Sequence, residues 1–588
     1  MNIIFLSELA DKAFIEFMKS KGTIILVPRD DRFDPRISSH PDLVISIIDH
    51  MIVIDQHASD QIFQQLKQYG IPYVLGNTFL EPTYPKDIAF NAVITDSLFV
   101  HKLNTSDYLL SLHSKNTGKT MCNVKQGYTK CSTVVIDNLQ LITSDQGIYH
   151  ATKDLLPVLN IQPGYVLLEG YDYGFLGGAS GFVEDTLIFH GDLSNHPDFD
   201  RITAFVSSVG MKIHYFKHFP LTDIGSVLVY KQQEHTDISN KKEVDQKHVN
   251  IPIFISHEGC PNDCVFCNQR KITSKSKAMS VDDIEEQILS YSSSLDEKTF
   301  IELAFFGGSF TGIDINLQEN YLQLASQYKK EGRIHGIRLS TRPDYITDEI
   351  LTRLKLYGVD TIELGVQSLC DKVLTASNRG HQVADVYNAV KLIKAYGFQL
   401  GIQLMVGLPE DTKERAILSS KLTALLNPDF VRIYPTLVIQ ETQLLDLCNQ
   451  GLYQPLSLED AVNWTKEMYR VFLTSQIPVI RIGLQPTDLI ATGKEVRYGP
   501  FHPAFRQLVE SSYFFDEITK KLSGFGPGLH ACQDITILCN PKDLSQVIGH
   551  KRSNMTRLKQ DYPNLRVIPD EYMKPLQIQI KTIPIIDF

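Results

Sequence analysis

Cysteine is scarce in this chain, with 9 in 588 residues, too few for a disulfide scaffold. The chain also lacks an apolar run of about 18 residues, which a membrane-spanning helix needs. Its opening, MNIIFLSELA, has no positively charged stretch of the kind that begins a secretory signal. A hydrophobic fraction of 43% and a charged fraction of 21% exclude a largely disordered, collagenous or coiled-coil chain. These features predict a folded protein of the cytoplasm.

The net charge of −11 gives the whole molecule no general attraction for a polyanion. A nucleic-acid partner would therefore need a local basic patch. One candidate is VIGHKRSNMTRLKQ near the carboxyl end, which we expect to form a helix after Gly549. Its four cations are suited to contact RNA phosphates; an ordinary solvated helix face is an equally good interpretation, because no aromatic residue alternates with the charges. The residues are Lys551, Arg552, Arg557 and Lys559.

The chain length predicts three or four domains. Residues 1–231 alternate strand-like segments such as TLIFHG and YVLLEG with amphipathic helices, which indicates an α/β domain. Residues 232–248 are polar and predict a linker. Residues 249–487 contain six strand–helix units, which predict a parallel sheet in a partial (βα)6 barrel of the TIM type. Residues 488–588 predict a small α+β domain, and no fixed-period repeat is evident.

Three of the cysteines lie within eight residues, in HEGCPNDCVFCNQ. Cys260, Cys264 and Cys267 form a CxxxCxxC array directly after the first strand of the strand–helix series. Three thiolates can hold three irons of a 4Fe-4S cluster and leave the fourth iron open to another ligand. The alternative is a zinc site completed by His257, although zinc sites more often use CxxC pairs.

This array, with Phe266 before the last cysteine, resembles the signature of the radical S-adenosylmethionine (SAM) enzymes. The resemblance implies a 4Fe-4S cluster whose open iron chelates the amino and carboxylate groups of SAM. It further implies that reduction cleaves SAM to methionine and a 5′-deoxyadenosyl radical. An electron donor such as flavodoxin or ferredoxin would then be a partner.

Further motifs follow the next three strands. FFGGS resembles the family's GGE element, which contacts the SAM amino group, with Ser309 where the family has glutamate. RLSTRPD and ELGVQS end the third and fourth strands, and there the resemblance implies contacts to the SAM ribose and carboxylate. No catalytic residue is assigned. The predicted SAM-binding residues are Gly307, Gly308, Ser309, Ser340, Arg342 and Gln367.

These motifs, together with an RGH triplet, GIQLMVGLPED and VRIYPTLVIQETQL, resemble the radical-SAM portion of the Elongator catalytic subunit and its bacterial relatives. Elongator modifies carbon 5 of the tRNA wobble uridine, so the resemblance implies a tRNA-modifying enzyme. Two differences leave the substrate open: no acetyltransferase domain is evident after residue 487, and RIGLQPTD replaces the family's stretch after the sixth unit. A small-molecule or protein substrate is the second hypothesis. A non-catalytic iron–sulfur redox sensor with an amino-terminal ligand-binding domain is the third.

The amino-terminal domain contains KQGYTKCSTVVID and GYDYGFLGGASGFVEDTLIFHGDLSNHPDFD, which resemble an uncharacterised bacterial family with a pentein fold. Penteins modify guanidino groups with a cysteine nucleophile, a histidine base and acidic residues. Cys131 lies in mid-domain, whereas the pentein nucleophile comes near the domain's end. Cys131 is therefore interpreted as a buried apolar thiol. His190, Asp192 and His196 fit a loop equally well, so no catalytic residue is assigned here.

Overall fold

The computed structural model describes residues 1–232, 247–255, 264–267, 279–296, 298–484, 495–525 and 534–583. The chain divides into two compact units. The first is Met1–Val244 with the short segments Ala424–Asn427 and Thr474–Gln476, and the second is the remainder from Asp245 onward. The predicted linker and the predicted boundary at residue 487 fall mostly or wholly outside the described residues. Among the residues that are described, no helix is long and apolar enough to cross a membrane.

The first unit contains five three-stranded sheets, each with one antiparallel and one parallel strand pair. Sheet by sheet, the strands are Leu228–Lys231, Asn2–Ser7 and Thr23–Val27; Ile45–Ile48, Met51–Ile54 and Tyr73–Leu75; Val93–Ile94, Leu98–His101 and Thr120–Asn123; Val158–Asn160, Gln140–Thr143 and Thr133–Ile136; Ser180–Val183, Thr186–Phe189 and Lys212–His214. The helices are Lys12–Lys19, Pro41–Val44, Asp60–Tyr69, Tyr108–Asn116, Gln146–Thr152 and Phe199–Ser207. The same three-stranded arrangement therefore recurs five times among the described residues, although the sequence shows no fixed-period repeat.

Two expectations for this unit were wrong. YVLLEG is not a strand: it contributes one isolated bridge, between Leu167 and Thr222, and Leu167 is half exposed. Cys131 is buried but its surroundings are polar, because its thiol donates to the Asp42 carboxylate at 3.0 Å and accepts from Asn91 Nδ2 at 3.3 Å. Burial, together with the carboxylates of Asp42 and Asp223, raises the pKa of the Cys131 thiol. The pentein fold stays a prediction.

The second unit is built on a seven-stranded parallel sheet whose strands follow chain order. The strands are β1 His248–Phe254, β2 Phe300–Phe306, β3 Gly336–Thr341, β4 Thr361–Gln367, β5 Gln399–Val406, β6 Phe430–Pro435 and β7 Val479–Ile482. This sheet confirms the partial barrel of the TIM type. The prediction of six strands missed β7, a four-residue strand with no repeat of the strand–helix pattern after it.

Helices connect the strands as the sequence predicted. They are α1 Val281–Ser294, α2 Ile315–Lys330, α3 Asp348–Leu356, α4 Val383–Ala395, α5 Lys413–Leu425 and α6 Leu458–Thr474, with shorter helices at Asp371–Ala376 and Gln443–Asn449. Local sequence sets several of their starts: Ser280 caps α1 and exchanges hydrogen bonds with Asp283 in a capping box. Two short strands, Val438–Ile439 and Val496–Tyr498, pair antiparallel beside the sheet.

A ladder of buried charges crosses the sheet between β2 and β6. Arg338 Nε lies 2.8 Å from Glu302 Oε2 and Arg338 Nη1 lies 2.7 Å from Glu363 Oε1. Arg432 reaches the same Glu363 carboxylate at 2.7 Å. Removing one member would leave an uncompensated buried charge, which is costly. The ladder therefore ties four strands together below the edge where they end.

The last part of the second unit is a small α+β fold with its own core, which includes Phe514, Ile518, Ile537 and Leu558. Its elements are α7 Phe505–Ser523, β8 Asp534–Cys539, α8 Leu544–Ile548, α9 Ser553–Asp561, β9 Arg566–Pro569 and β10 Ile578–Ile583. Strand β8 is central, parallel to β9 and antiparallel to β10.

Candidate active site

The six predicted SAM-binding residues lie at one edge of the parallel sheet. Gly307 to Ser309 directly follow β2, Ser340 and Arg342 lie at the end of β3, and Gln367 is the last residue of β4. The carboxyl ends of parallel strands are where barrel enzymes build their active sites. Gly307 has φ +98°, a backbone conformation that glycine adopts without the clash a side chain would cause. The edge is therefore assembled as expected, and the roles of the individual residues stay predictions.

The second and third cysteines of the array form a tight turn, in which the Cys267 amide donates to the Cys264 carbonyl at 2.9 Å. Between them, Val265 packs with Val438 and Leu444, and its carbonyl accepts from the Leu444 amide at 2.7 Å. Cys264 is 7% exposed and Cys267 is half-buried. This packing holds the cysteine turn against the segment that follows β6. Cys260 and His257 lie outside the described residues.

Arg379, which sequence reasoning did not select, contacts the cysteine turn directly. Its Nη1 donates to Cys264 Sγ at 3.2 Å and its Nη2 donates to the Gly365 carbonyl at 2.6 Å. A side-chain Cβ at Gly365 would come within 2.8 Å of that guanidinium. The signal was present in the RGH triplet, but nothing local shows that Arg379 reaches a residue 115 positions away. Hydrogen bonds to cluster sulfurs are one means by which proteins set reduction potentials.

Arg342 supports Arg379 from the neighbouring strand end. Its guanidinium forms two hydrogen bonds of 2.9 Å with the Asp344 carboxylate, and Nη2 also donates to the Arg379 carbonyl at 2.7 Å. The side chain is only 2% exposed. Through these contacts Arg342 connects Asp344 with the Arg379 backbone. A direct contact with the SAM carboxylate stays a prediction.

Ser309 links the ends of β2 and β3. Its hydroxyl lies 2.9 Å from the Thr341 hydroxyl and accepts from the Arg342 amide at 3.4 Å. Thr341 also hydrogen-bonds to Thr311. The Ser309 hydroxyl therefore holds the glycine turn against β3. The longer side chain of a glutamate would not make these contacts in the same way. Ser340 is half-buried on the same strand.

Gln367 has a strained backbone, with φ +70° at a residue type that rarely adopts it. The register between β4 and β5 shifts just before it, between Gly365 and Gln367. Its side-chain oxygen accepts from Gln403 Nε2 at 3.1 Å. Strain of this kind at a strand end is typical of functional sites and fits the predicted place of Gln367 in the SAM site.

His381 is the second residue of this edge that sequence reasoning left without a role. It is 3% exposed, and neither ring nitrogen has a hydrogen-bond partner among the described residues. Burial, and then the positive charge of Arg379, lowers the pKa of His381 to about 3. The imidazole is therefore neutral, and it offers one donor and one acceptor close to the Arg379 guanidinium.

Asp411 lies in the loop after β5. Its carboxylate accepts from the Gly407 and Thr412 amides, each at 3.0 Å. Burial raises the pKa of Asp411 to about 7, against the effect of those two hydrogen bonds. Tyr453 closes the same loop by donating to the Gly407 carbonyl at 2.6 Å. A carboxyl that titrates near neutrality thus lies at the sheet edge.

Family models match most of the chain. The model of the radical SAM superfamily matches residues 254–419, and that of the Radical_SAM C-terminal domain matches residues 428–513. A family of unknown function, DUF6873, matches residues 5–228. The first two matches cover β2 to β7 and the edge where these strands end.

The chain is similar to tRNA uridine(34) acetyltransferase of Methanocaldococcus infernus, with 31% identity over 183 residues, 28% of this chain and 34% of the relative. An uncharacterized protein of Methanocaldococcus jannaschii is 31% identical over 228 residues, 37% of this chain and 69% of that protein. Elongator complex protein 3 of Saccharomyces cerevisiae is 30% identical over 236 residues, 35% of this chain and 42% of that protein. The chain thus spans about a third of the acetyltransferase's length and under half of the yeast protein's.

The residues of the edge fit the cofactors of the matched family. Cys264 and Cys267 lie in one turn, and the turn after β2 contains Gly307 in a backbone conformation that favours glycine. A 4Fe-4S cluster and SAM are the cofactors of the matched family, which decides against the zinc site. An enzyme family also excludes the non-catalytic redox sensor. The chain is an enzyme whose residues 254–419 match the radical SAM superfamily and whose residues 428–513 match its carboxyl-terminal domain, and it is similar to Elongator complex protein 3.

Proposed function

We propose that this enzyme binds tRNA and modifies its wobble uridine by radical SAM chemistry. The observation that carries the proposal is the identity of 30–31% with proteins described as a tRNA uridine(34) acetyltransferase and Elongator complex protein 3. When bound and reduced, the cluster and SAM supply the organic radical. A flavodoxin or ferredoxin is the proposed electron donor. In this proposal Arg379 and Arg342 position the cysteine turn.

The small α+β fold supports the proposal with an exposed basic loop. Lys551 and Arg552 lie in the turn between α8 and α9 rather than on the predicted helix, because α9 begins only at Ser553. Both have left-handed backbones, with φ +52° and +64°. A Cβ at Gly549 would lie 2.6 Å from the Asn554 amide, so glycine is required there. The loop therefore presents the two exposed cations Lys551 and Arg552 between two helices.

The other two cations continue this surface along α9. Arg557 stacks on the Phe515 ring, with its guanidinium carbon 3.7 Å from the ring centroid, and Lys559 is exposed. Throughout the part of the chain that the structure describes, none of the four cations forms an ion pair. The loop and the exposed face of α9 therefore offer RNA phosphates charges that no carboxylate of the protein already neutralises.

The experiment compares tRNA binding by the holoenzyme and by a variant carrying Lys551→Glu and Arg552→Glu, across a range of salt concentrations. Each phosphate contact contributes about 0.7 to the slope of log affinity against log salt for single strands, so losing two contacts should reduce the slope by roughly 1.4. The matched control reverses two exposed lysines of the same fold outside the loop, Lys520→Glu and Lys542→Glu.

We expect the loop variant to bind tRNA more weakly and with a smaller salt dependence, while the control keeps the wild-type slope to within measurement error. Cleavage of SAM in the absence of tRNA should be equal in all three proteins. Wild-type protein without salt-sensitive tRNA binding would overturn the proposal, and the small-molecule or protein substrate would then be the better hypothesis.

A further inference from the structure

Polar side chains from distant parts of the first unit meet in its interior. His40, Cys131 and Asp223 each place one potential ligand atom within 4.8 Å of the other two. Their exposed fractions are 5%, 3% and 4%. We propose that these three residues bind a divalent transition-metal ion such as zinc. This metal site is separate from the 4Fe-4S cluster, and the proposal does not depend on the proposed function in tRNA modification.

The distances suit such an ion. Three atoms no more than 4.8 Å apart have a central point at most about 2.8 Å from each, and zinc needs about 2.0–2.3 Å to nitrogen, oxygen or sulfur. Movements of under an ångström, within the reach of side-chain rotation, would bring all three into coordination. Imidazole, thiolate and carboxylate together form a ligand set that suits zinc and related divalent ions.

Two glycines leave space for the side chains of His40 and Asp223. A Cβ at Gly178 would lie 1.9 Å from Asp223 Oδ1, and a Cβ at Gly225, where φ is +76°, would lie 2.2 Å from the His40 Cβ. A side chain at Gly225 would clash with His40, and one at Gly178 would force the Asp223 carboxylate to move. The backbone is therefore shaped to accept the histidine and the carboxylate at these positions.

Hydrogen bonds from the surrounding protein orient two of the proposed ligands, Cys131 and Asp223. Asn91 Nδ2 donates to Cys131 Sγ at 3.3 Å. The Asp223 carboxylate accepts from the Gly225 amide at 3.0 Å and from the Phe175 amide at 2.9 Å. Such outer contacts fix ligand orientation in metal sites, and each ligand atom keeps further capacity to bind an ion.

A second observation favours a cation at this site. Asp42 is 1% exposed, and its Oδ2 receives hydrogen bonds from Cys131 at 3.0 Å and Ser226 at 2.6 Å. Its Oδ1 is buried with no partner among the described residues. An unpaired buried carboxylate oxygen is costly, and a bound cation, or a water on that cation, would give it a partner.

On binding, the ion replaces the thiol proton of Cys131, which leaves to solvent, and the resulting thiolate coordinates the ion.

The test measures zinc and iron separately by elemental analysis of the anaerobically purified full-length holoenzyme. We expect one zinc per chain in addition to the cluster irons. Zinc should be lost in Cys131→Ser, His40→Gln and Asp223→Asn, with iron unchanged. Cys122→Ser is the matched control, because Cys122 is a buried thiol of the same unit that lies in an apolar core; it should keep its zinc.

A second measurement tests the site even if one of these variants fails to fold. The full chain with Cys260, Cys264 and Cys267 all replaced by alanine is stripped of metal and titrated with Co²⁺. A thiolate-to-cobalt absorption band that saturates at one equivalent, and that the further change Cys131→Ser removes, would support the site. Absence of zinc in the holoenzyme together with absence of this band, or zinc retained in folded Cys131→Ser protein, would overturn it.

Discussion

The contact between Arg379 and Cys264 predicts a shift in the cluster's reduction potential when the guanidinium is removed. Arg379→Met deletes a positive charge whose nearest nitrogen lies 3.2 Å from a proposed cluster ligand. Because the added electron spreads over the cluster, the effective charge separation is about 6–8 Å, which at an effective dielectric constant of about 20 corresponds to about 2–3 kcal/mol. At 59 mV per tenfold change for one electron, this is roughly 90–130 mV.

The shift should be toward more negative potential, because the positive charge favours the reduced cluster. Redox titration followed by electron paramagnetic resonance measures it directly, in protein whose iron content matches the wild type. Arg379→Lys is the matched control: it keeps the charge, cannot reach both Cys264 and the Gly365 carbonyl, and should shift the potential less. Cys264→Ala, which removes the ligand itself, should abolish the cluster.

A potential within about 20 mV of wild type in Arg379→Met protein with a full cluster, or a shift to more positive values, would refute the electrostatic reasoning. Either result would mean that Arg379 serves only to hold the Gly365 carbonyl and the cysteine turn.

Two further predictions concern the same edge. Gly308→Val should weaken SAM binding, measured by equilibrium dialysis, while the iron content stays normal, because a side chain would occupy the space where SAM must approach the backbone; unchanged SAM affinity in folded protein would contradict this place for SAM. Burial raises the pKa of Asp411 in the folded protein to about 7, above the ordinary 3.8. The carboxyl therefore contributes stability that is complete below about pH 4 and is lost as the pH rises through 7. Between pH 5 and pH 8 this loss lowers the free energy of unfolding by about 3 kcal/mol. The unfolding midpoint in urea should therefore fall over that range more in wild type than in Asp411→Asn, and equal slopes would contradict the buried carboxyl.

Local sequence predicted the features that depend on neighbouring residues. The cysteine spacing and the glycines after a strand placed the edge correctly, because strand ends and tight turns are governed by the residues within them. The alternation of strands and helices predicted the parallel sheet for the same reason. The seventh strand, Val479–Ile482, was missed because only its pairing with β6 identifies it.

Contacts between distant residues could not be predicted. Arg379 meets Cys264 across 115 positions, and Cys131 meets Asp42 across 89, so an apolar environment was a reasonable but wrong expectation for the Cys131 thiol. The five sheets of the first unit repeat in backbone only, because different residues can satisfy the same strand pairing. Lys551 and Arg552 were assigned to a helix because no local pattern showed that two non-glycine residues adopt left-handed backbones.

The most direct test of the proposed function measures 5′-deoxyadenosine released under reducing, anaerobic conditions with two transcripts of one tRNA. One transcript has uridine at the wobble position and the other has cytidine, with every other nucleotide identical. The account predicts that the uridine transcript stimulates release and acquires a new nucleoside mass at that position, and that Cys264→Ala protein releases none. Equal release with both transcripts and no new nucleoside would contradict it.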